Sequence, residues 1–348
     1  MPKLFLFMSI MGVSILSGLF AADSKHGVMK GVINSESPSW FKDSFLEFEE
    51  DVSDAAASGR RVMIYFHQEG CPYCARLVNE NFKDPDIESY IRTNFDGINI
   101  NLWGDREVIS VAGRNFTEKT FAAALKVQFT PTLIFLDESG KVALRLNGYY
   151  PPETFRSALR FVAEKQEITS NFDEYLNRKE EQSAGALVEE PFFSHNRNLK
   201  ELIQVGAKPL AVYFEKANCD ACEIVHQKIL TDAPTRKLVV EMNNVQLNRY
   251  SNELVTTPEG EILSAREWAE ALNIGYLPSV VFFDESGQEV IRMNALFKTF
   301  HFQSIYAYVL EKGYLTEPSF QRYIAARGEA IREAGFDTDI DGYESSHQ

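Results

Sequence analysis

The run Tyr65-Phe66-His67-Gln68-Glu69-Gly70-Cys71-Pro72-Tyr73-Cys74 decides how the chain is read. It recurs as Tyr213-Phe214-Glu215-Lys216-Ala217-Asn218-Cys219-Asp220-Ala221-Cys222. The two Cys-x-x-Cys pairs use all 4 cysteines, so none is left for a structural bridge. Each pair follows an apolar, strand-like run and opens a helical stretch. A second landmark repeats downstream. Phe129-Thr130-Pro131-Thr132-Leu133-Ile134-Phe135-Leu136-Asp137-Glu138-Ser139-Gly140 matches Tyr276-Leu277-Pro278-Ser279-Val280-Val281-Phe282-Phe283-Asp284-Glu285-Ser286-Gly287. The offset is 148 residues at the first landmark and 147 at the second. Two landmarks repeated in the same order point to a duplicated domain.

A dithiol at a strand–helix junction has the setting of a redox-active pair. On these residues each half resembles a thioredoxin fold. The expected class is α/β, two tandem thioredoxin folds, each a central mixed sheet flanked by helices. The first half, about 40–168, is similar to the SoxW-like periplasmic thioredoxins. That likeness runs from Tyr65–Cys74 through Leu102-Trp103-Gly104-Asp105-Arg106-Glu107 to Thr130-Pro131. The second half, about 199–315, is a more divergent copy, with Tyr250 at the place of Trp103. The resemblance implies thiol–disulfide exchange with client proteins and, as electron source, a membrane dithiol carrier. It also implies a link to thiosulfate-oxidation or cytochrome-maturation proteins. It places Thr130, Pro131, Leu277 and Pro278 in cis-proline loops, where the backbone beside the dithiol pairs with an extended substrate. Many thioredoxins carry a buried carboxylate six residues before the first cysteine. Here those positions hold Tyr65 and Tyr213.

Cys71 is the expected nucleophile. Pro72 suits the first helical position, which makes Cys71 the N-cap, facing free amides and the positive helix end. Both favour the thiolate, the attacking species. Cys74, one turn on, resolves the mixed disulfide. His67 and Glu69 are candidates for tuning this site, as Asp220 is for the other. Near Cys219 lie Glu215, Asp220 and Glu223, relieved by Lys216. Carboxylates raise a neighbouring thiol's pKa. Cys71 is therefore expected to react faster, with electrons passing from Cys219–Cys222 to Cys71–Cys74. A zinc site built from the four cysteines would need both pairs to leave their junctions, so no metal is expected. The spacing of Asp337, Asp339, Asp341 and Gly342 copies the first half of a calcium loop. Gln348 stands where the bidentate glutamate belongs, so a solvated acidic tail is the expectation. No cofactor is implied: there is no Gly-rich nucleotide loop, and no histidine follows either pair as c-type haem requires.

The formal net charge of −15 disfavours a nucleic-acid partner, which selects clustered Lys and Arg. The 45% hydrophobic content lets each of two ordinary domains bury a core. Lys3, an apolar run from Leu4 to Phe20 and Ala21-Ala22 read as an export signal over 1–22, against an uncleaved anchor. The mature protein is then periplasmic and not embedded in a membrane. Between and around the domains lie a flexible arm (23–39), a linker (169–198) and a polar, helix-prone tail (316–348). Helical spacing is read over Trp40–Ala57. The alternatives left open are an oxidase or isomerase of secreted proteins, and a redox-inert partner-binding module.

Overall fold

The computed structural model describes residues 26–177, 186–343 and 345; the leader read over 1–22 lies outside the described residues. A two-residue strand β1 (Met29–Lys30) precedes the first domain. That domain holds β2 (Arg61–His67), β3 (Phe95–Asn101), the hairpin β4 (Glu107–Ile109) and β5 (Asn115–Thr117), then β6 (Thr132–Leu136) and β7 (Val142–Asn147). The second repeats it with β8 (Leu210–Glu215), β9 (Asn243–Asn248), β10 (Leu254–Thr256), β11 (Ile262–Ser264), β12 (Ser279–Phe283) and β13 (Glu289–Met293). The main sheets have the orders β3-β2-β6-β7 and β9-β8-β12-β13. The first pair of each is parallel and the rest antiparallel.

The central strands read as continuous apolar runs because both sheet faces are covered. On one face of the first sheet Tyr65, Phe82 and Phe155 pack together. On the other, Phe48, Phe66 and Phe121 do so. Fully burying one such ring contributes about 1.5–3 kcal/mol. The helix read over Trp40–Ala57 begins only at Phe48. Leu46, at φ 64, breaks the run. Trp40 and Phe41 instead wedge against Phe82 from a loop, with ring centroids 5.9 and 5.5 Å away.

Much of the expected linker is packed. Phe172 lies on Phe161, centroids 5.3 Å apart, at the end of the first domain. Phe193 packs on Tyr213 at 5.0 Å, and the Ser194 amide donates to the Asn244 carbonyl at 2.8 Å. The expected arm is tied down as well. Its strand β1 pairs in parallel with β14 (Thr338–Asp339), which follows a 14-residue helix, Phe320–Glu333. Lys30 meets Asp337 at 2.7 Å. The acidic run of the tail thus clasps the arm.

The domains meet about a pseudo-dyad. Gly148 lies against Ala295, its own counterpart in the other copy; a Cβ on Gly148 would stand 2.6 Å from the Ala295 Cβ. Around this point the contacts are reciprocal. Phe129 packs on Phe297 with centroids 4.9 Å apart, and their counterparts Tyr276 and Tyr150 pack at 5.0 Å. The Tyr150 hydroxyl donates to the Asn294 carbonyl at 3.1 Å. This is the isologous pattern of a dimer, made within one chain.

Gly148 also has φ +90, a conformation that a Cβ strains. Gly148→Ala is expected to cost about 1–3 kcal/mol in urea titration of the full chain. Adding Ala295→Gly should return only part, since the clash is relieved and the backbone strain is not. An unchanged midpoint in the single variant would mean the contact is not made.

Candidate functional site

Both cysteine pairs sit where their sequence positions demand. Each is joined as a disulfide at the junction of a central strand and a short helix, Pro72–Arg76 or Asp220–Ile224. Cys71 and Cys219 are the N-caps. Their sulfurs accept from the Cys74 and Cys222 amides at 3.0 and 3.1 Å. These donors are two of the amides a helix start leaves unpaired, and they favour negative charge on the first sulfur. Pro72 occupies a first-turn position where its missing N–H is no loss. The Thr130–Pro131 and Leu277–Pro278 bonds are both cis. Thr130 brings its carbonyl within 3.5 Å of Cys71 Sγ, and its hydroxyl donates to the same sulfur at 3.5 Å.

The two sites differ in what covers them. Around Cys219 the neighbours Asn218, Asp220 and Glu223 are exposed. Around Cys71 the neighbours Pro72, Tyr73 and Ala75 are buried. Tyr73 reaches into the second domain, where its hydroxyl accepts from the Lys298 amide at 2.8 Å. Its ring meets Phe297 and His301 edge-on, at 6.0 and 5.2 Å. Ala221, at the same place in the second motif, has no side chain to reach so far.

The C-terminal helix closes the rim. Trp103 Nε1 donates to Gln68 at 2.8 Å, and Gln68 donates to Gln321 at 2.9 Å. Gln321 donates to the Gln128 carbonyl at 2.9 Å, and the Phe320 amide donates to the Gln128 side chain at 3.0 Å. The helix start therefore bridges the loop before Cys71 and the loop before Pro131. From the arm, Asn34 accepts from the Gly70 amide at 2.8 Å. What remains beside Cys71 is a cavity of about 50 Å³, bordered by Thr130, Phe297, His301, Gln321 and Ile340.

The tuning candidates fall unevenly. His67 is stacked on Tyr65 at 5.3 Å, and its Nε2 lies 3.4 Å from Asn99. Burial lowers its pKa, against the pull of Glu118. Glu69 and Asp220 are exposed. Tyr65 is buried, which pushes its phenol well above the usual range, so it donates no base. At the strand position of His67 the second domain has Glu215. That carboxylate is buried, accepts from Gln246 at 2.7 Å and lies 3.1 Å from His226 Nε2. His226 also faces Glu190 at 3.4 Å, and Glu190 pairs with Arg236 at 2.9 Å.

His301, Gln321, Glu190 and His226 were not found by motif. One signal was present for the first. The stretch Thr299–Leu310 has no Asp, Glu, Lys or Arg, unlike Pro152–Ala163 at the same place in the first copy. A helix without a charged face is buried all round. Among the described residues no group of three or more His, Cys, Asp or Glu is gathered to hold a metal, and no helix is long and apolar enough to cross a membrane.

A family model described as a thioredoxin-like domain matches residues 48–163 and again 196–310. Among solved structures, a thioredoxin-fold protein from Helicobacter pylori is similar at 23% identity, over 40% of this chain and 92% of that one, TM-score 0.32. A thioredoxin from Thermus thermophilus is similar at 28% identity, over 34% and 85%, TM-score 0.29. A structure described as DsbH oxidoreductase matches at 12% identity, over 38% and 92%, TM-score 0.27. No curated protein matches the chain.

Two outcomes follow from this geometry. In the fully reduced protein, alkylation should label Cys219 at least about tenfold faster than Cys71, read by mass spectrometry of timed samples. The electrostatic ranking alone gives the reverse order. The second concerns His226. Burial pulls its pKa down, but Glu215 and Glu190 more than offset this and the net shift is upward. A raised folded pKa stabilises fully below the unfolded value of about 6.5, and the stabilisation is lost as pH rises through the folded value. His226→Leu should therefore destabilise more at pH 6 than at pH 9 in paired denaturant titrations.

Proposed function

Because this chain belongs to the thioredoxin-like domain family, matched over both halves, we propose that it is a thiol–disulfide oxidoreductase with two unequal sites, of which Cys219–Cys222 meets protein clients. One observation carries the reading. Both dithiols stand at helix N-caps with their first sulfurs about equally buried, but among the described residues Asn218, Asp220 and Glu223 beside the second are exposed, while Pro72, Tyr73 and Ala75 beside the first are buried. The reduced Cys219 thiolate attacks a client disulfide. One client sulfur bonds to Cys219 and the other leaves as a thiolate. Cys222 then attacks Cys219, closing the Cys219–Cys222 disulfide and releasing the client reduced by two electrons.

The Cys71–Cys74 pair exchanges electrons with the second pair, or with a donor, when its cover lifts. The apolar N-terminal run supports export, and the resemblance to SoxW-like proteins supports a periplasmic setting. There a membrane dithiol carrier returns the electrons, and proteins of thiosulfate oxidation or cytochrome maturation are the clients. The acidic Asp220 and Glu223 favour clients with basic surroundings at the disulfide.

The test is reduction of a protein disulfide such as insulin by the full chain. Cys219→Ser should lower the rate at least about tenfold, while Cys71→Ser should retain most of it. A loss confined to Cys71→Ser would reverse the assignment of the client-facing site. Loss in neither would favour a binding module. A reduction potential near about −270 mV supports a reductase, and one near about −120 mV an oxidase.

A further inference from the structure

Among the described residues, neither Tyr65 nor His67, on the strand before the first dithiol, offers it a free base, and Glu69 is exposed. The place six residues before Cys71 holds the phenol of Tyr65, and His67 is turned to Asn99. The second domain supplies one. His301, on the helix Thr299–Leu310, borders the same cavity as Cys71 and Thr130. Its Nδ1 is buried and has no hydrogen-bond partner. The ring is held edge-on to Tyr73 and stacked on Phe297, so its orientation is fixed by packing. A buried polar atom left unpaired destabilises the fold and asks for a reason.

We propose that His301 is the acid–base partner of the Cys71–Cys74 dithiol, so that the second domain completes the site of the first. The inference rests on the thiol–disulfide reading above. In the disulfide state the imidazole is neutral, because burial alone holds its pKa down to about 4. The groups around it give no competing charge. Cys71 and Tyr73 face it from the motif, Thr130 from the cis-proline loop, and Gln68 and Gln321 from the loop and helix that close the rim. Arg76, Asp341 and Tyr343 act on Tyr73, and Lys298 meets Tyr73 through its backbone amide.

Reduction brings two electrons and two protons from a partner dithiol, which becomes a disulfide. The partner's first thiolate bonds to one sulfur of the pair and the other sulfur leaves. The partner's second thiolate then closes the partner's own disulfide and frees the remaining sulfur. One proton stays on Cys74 as a thiol. The other passes to His301, leaving Cys71 as a thiolate beside an imidazolium. The opposite charge and the helix start both stabilise that thiolate. In the reverse direction His301 returns the proton to the departing dithiol.

The experiment uses the full chain with Cys219→Ser and Cys222→Ser, so that only the first pair reports. Thiolate ultraviolet absorbance of the reduced protein is followed against pH, with His301 intact and as His301→Gln and His301→Phe. Loss of the imidazole should raise the Cys71 midpoint by about one unit, an approximately tenfold smaller thiolate fraction near neutral pH. The phenylalanine variant preserves the packing on Tyr73, so a purely structural role would leave its curve unmoved. Should either variant fail to fold, the unsubstituted imidazole is read by NMR. Its ring nitrogens should change from a neutral to a cationic pattern when the first pair is reduced. Coincident titrations, or an imidazole that stays neutral on reduction, would overturn the proposal. Neither result touches the oxidoreductase reading, which is judged by turnover of a model disulfide.

Discussion

Gly148 and Ala295 can approach because neither carries more than a methyl group. That approach sets two thioredoxin-like domains face to face. The aromatic side chains that flank each cis-proline loop then find partners after the last strand of the other domain. In a free thioredoxin-like domain this rim is where an extended substrate would lie. Here the rim of the first domain is filled by its own chain. A larger residue at the dyad would push the domains apart and open the first dithiol along with the interface.

The dyad is symmetric, but its consequences are not. Tyr73 is long enough to cross the interface, and Ala221 is not. Among the described residues the helix Phe320–Glu333 has no counterpart after the first domain, and its start bridges the loops around the first site. Electrostatics and access therefore pull in opposite directions. Pro72 and the N-cap amides favour the Cys71 thiolate, while packing keeps clients from it. The second pair, itself buried, has exposed carboxylates beside it and no counterpart of Tyr73 to cross the interface. Division of labour between the copies follows from these few side chains, with no change of fold.

Much of this was legible in the sequence. The paired motifs and the repeated Phe129–Gly140 landmark placed both sheets, because buried strands and tight turns impose local patterns. The cis-proline loops followed from the resemblance. The arm was read as flexible and the acidic end of the tail as solvated, because polar composition says nothing about pairing across 309 residues, the separation between the Val28 amide and the Asp337 carboxylate it donates to. Trp40 and Phe41 mimicked helical spacing, although tertiary packing uses them in a loop. His301 lies in no motif; only the missing charges around it marked its helix as buried. The site is thus part local signal and part long-range assembly, and a single sequence shows only the first.

The central claim is that the first dithiol is covered by the rest of its own chain. Hydrogen–deuterium exchange of the oxidised full chain tests it most directly. The account predicts slow exchange in peptides spanning 70–76 and 296–303, comparable with the central strands, and distinctly faster exchange across 218–223. Equal and rapid exchange at 70–76 and 218–223 would contradict it.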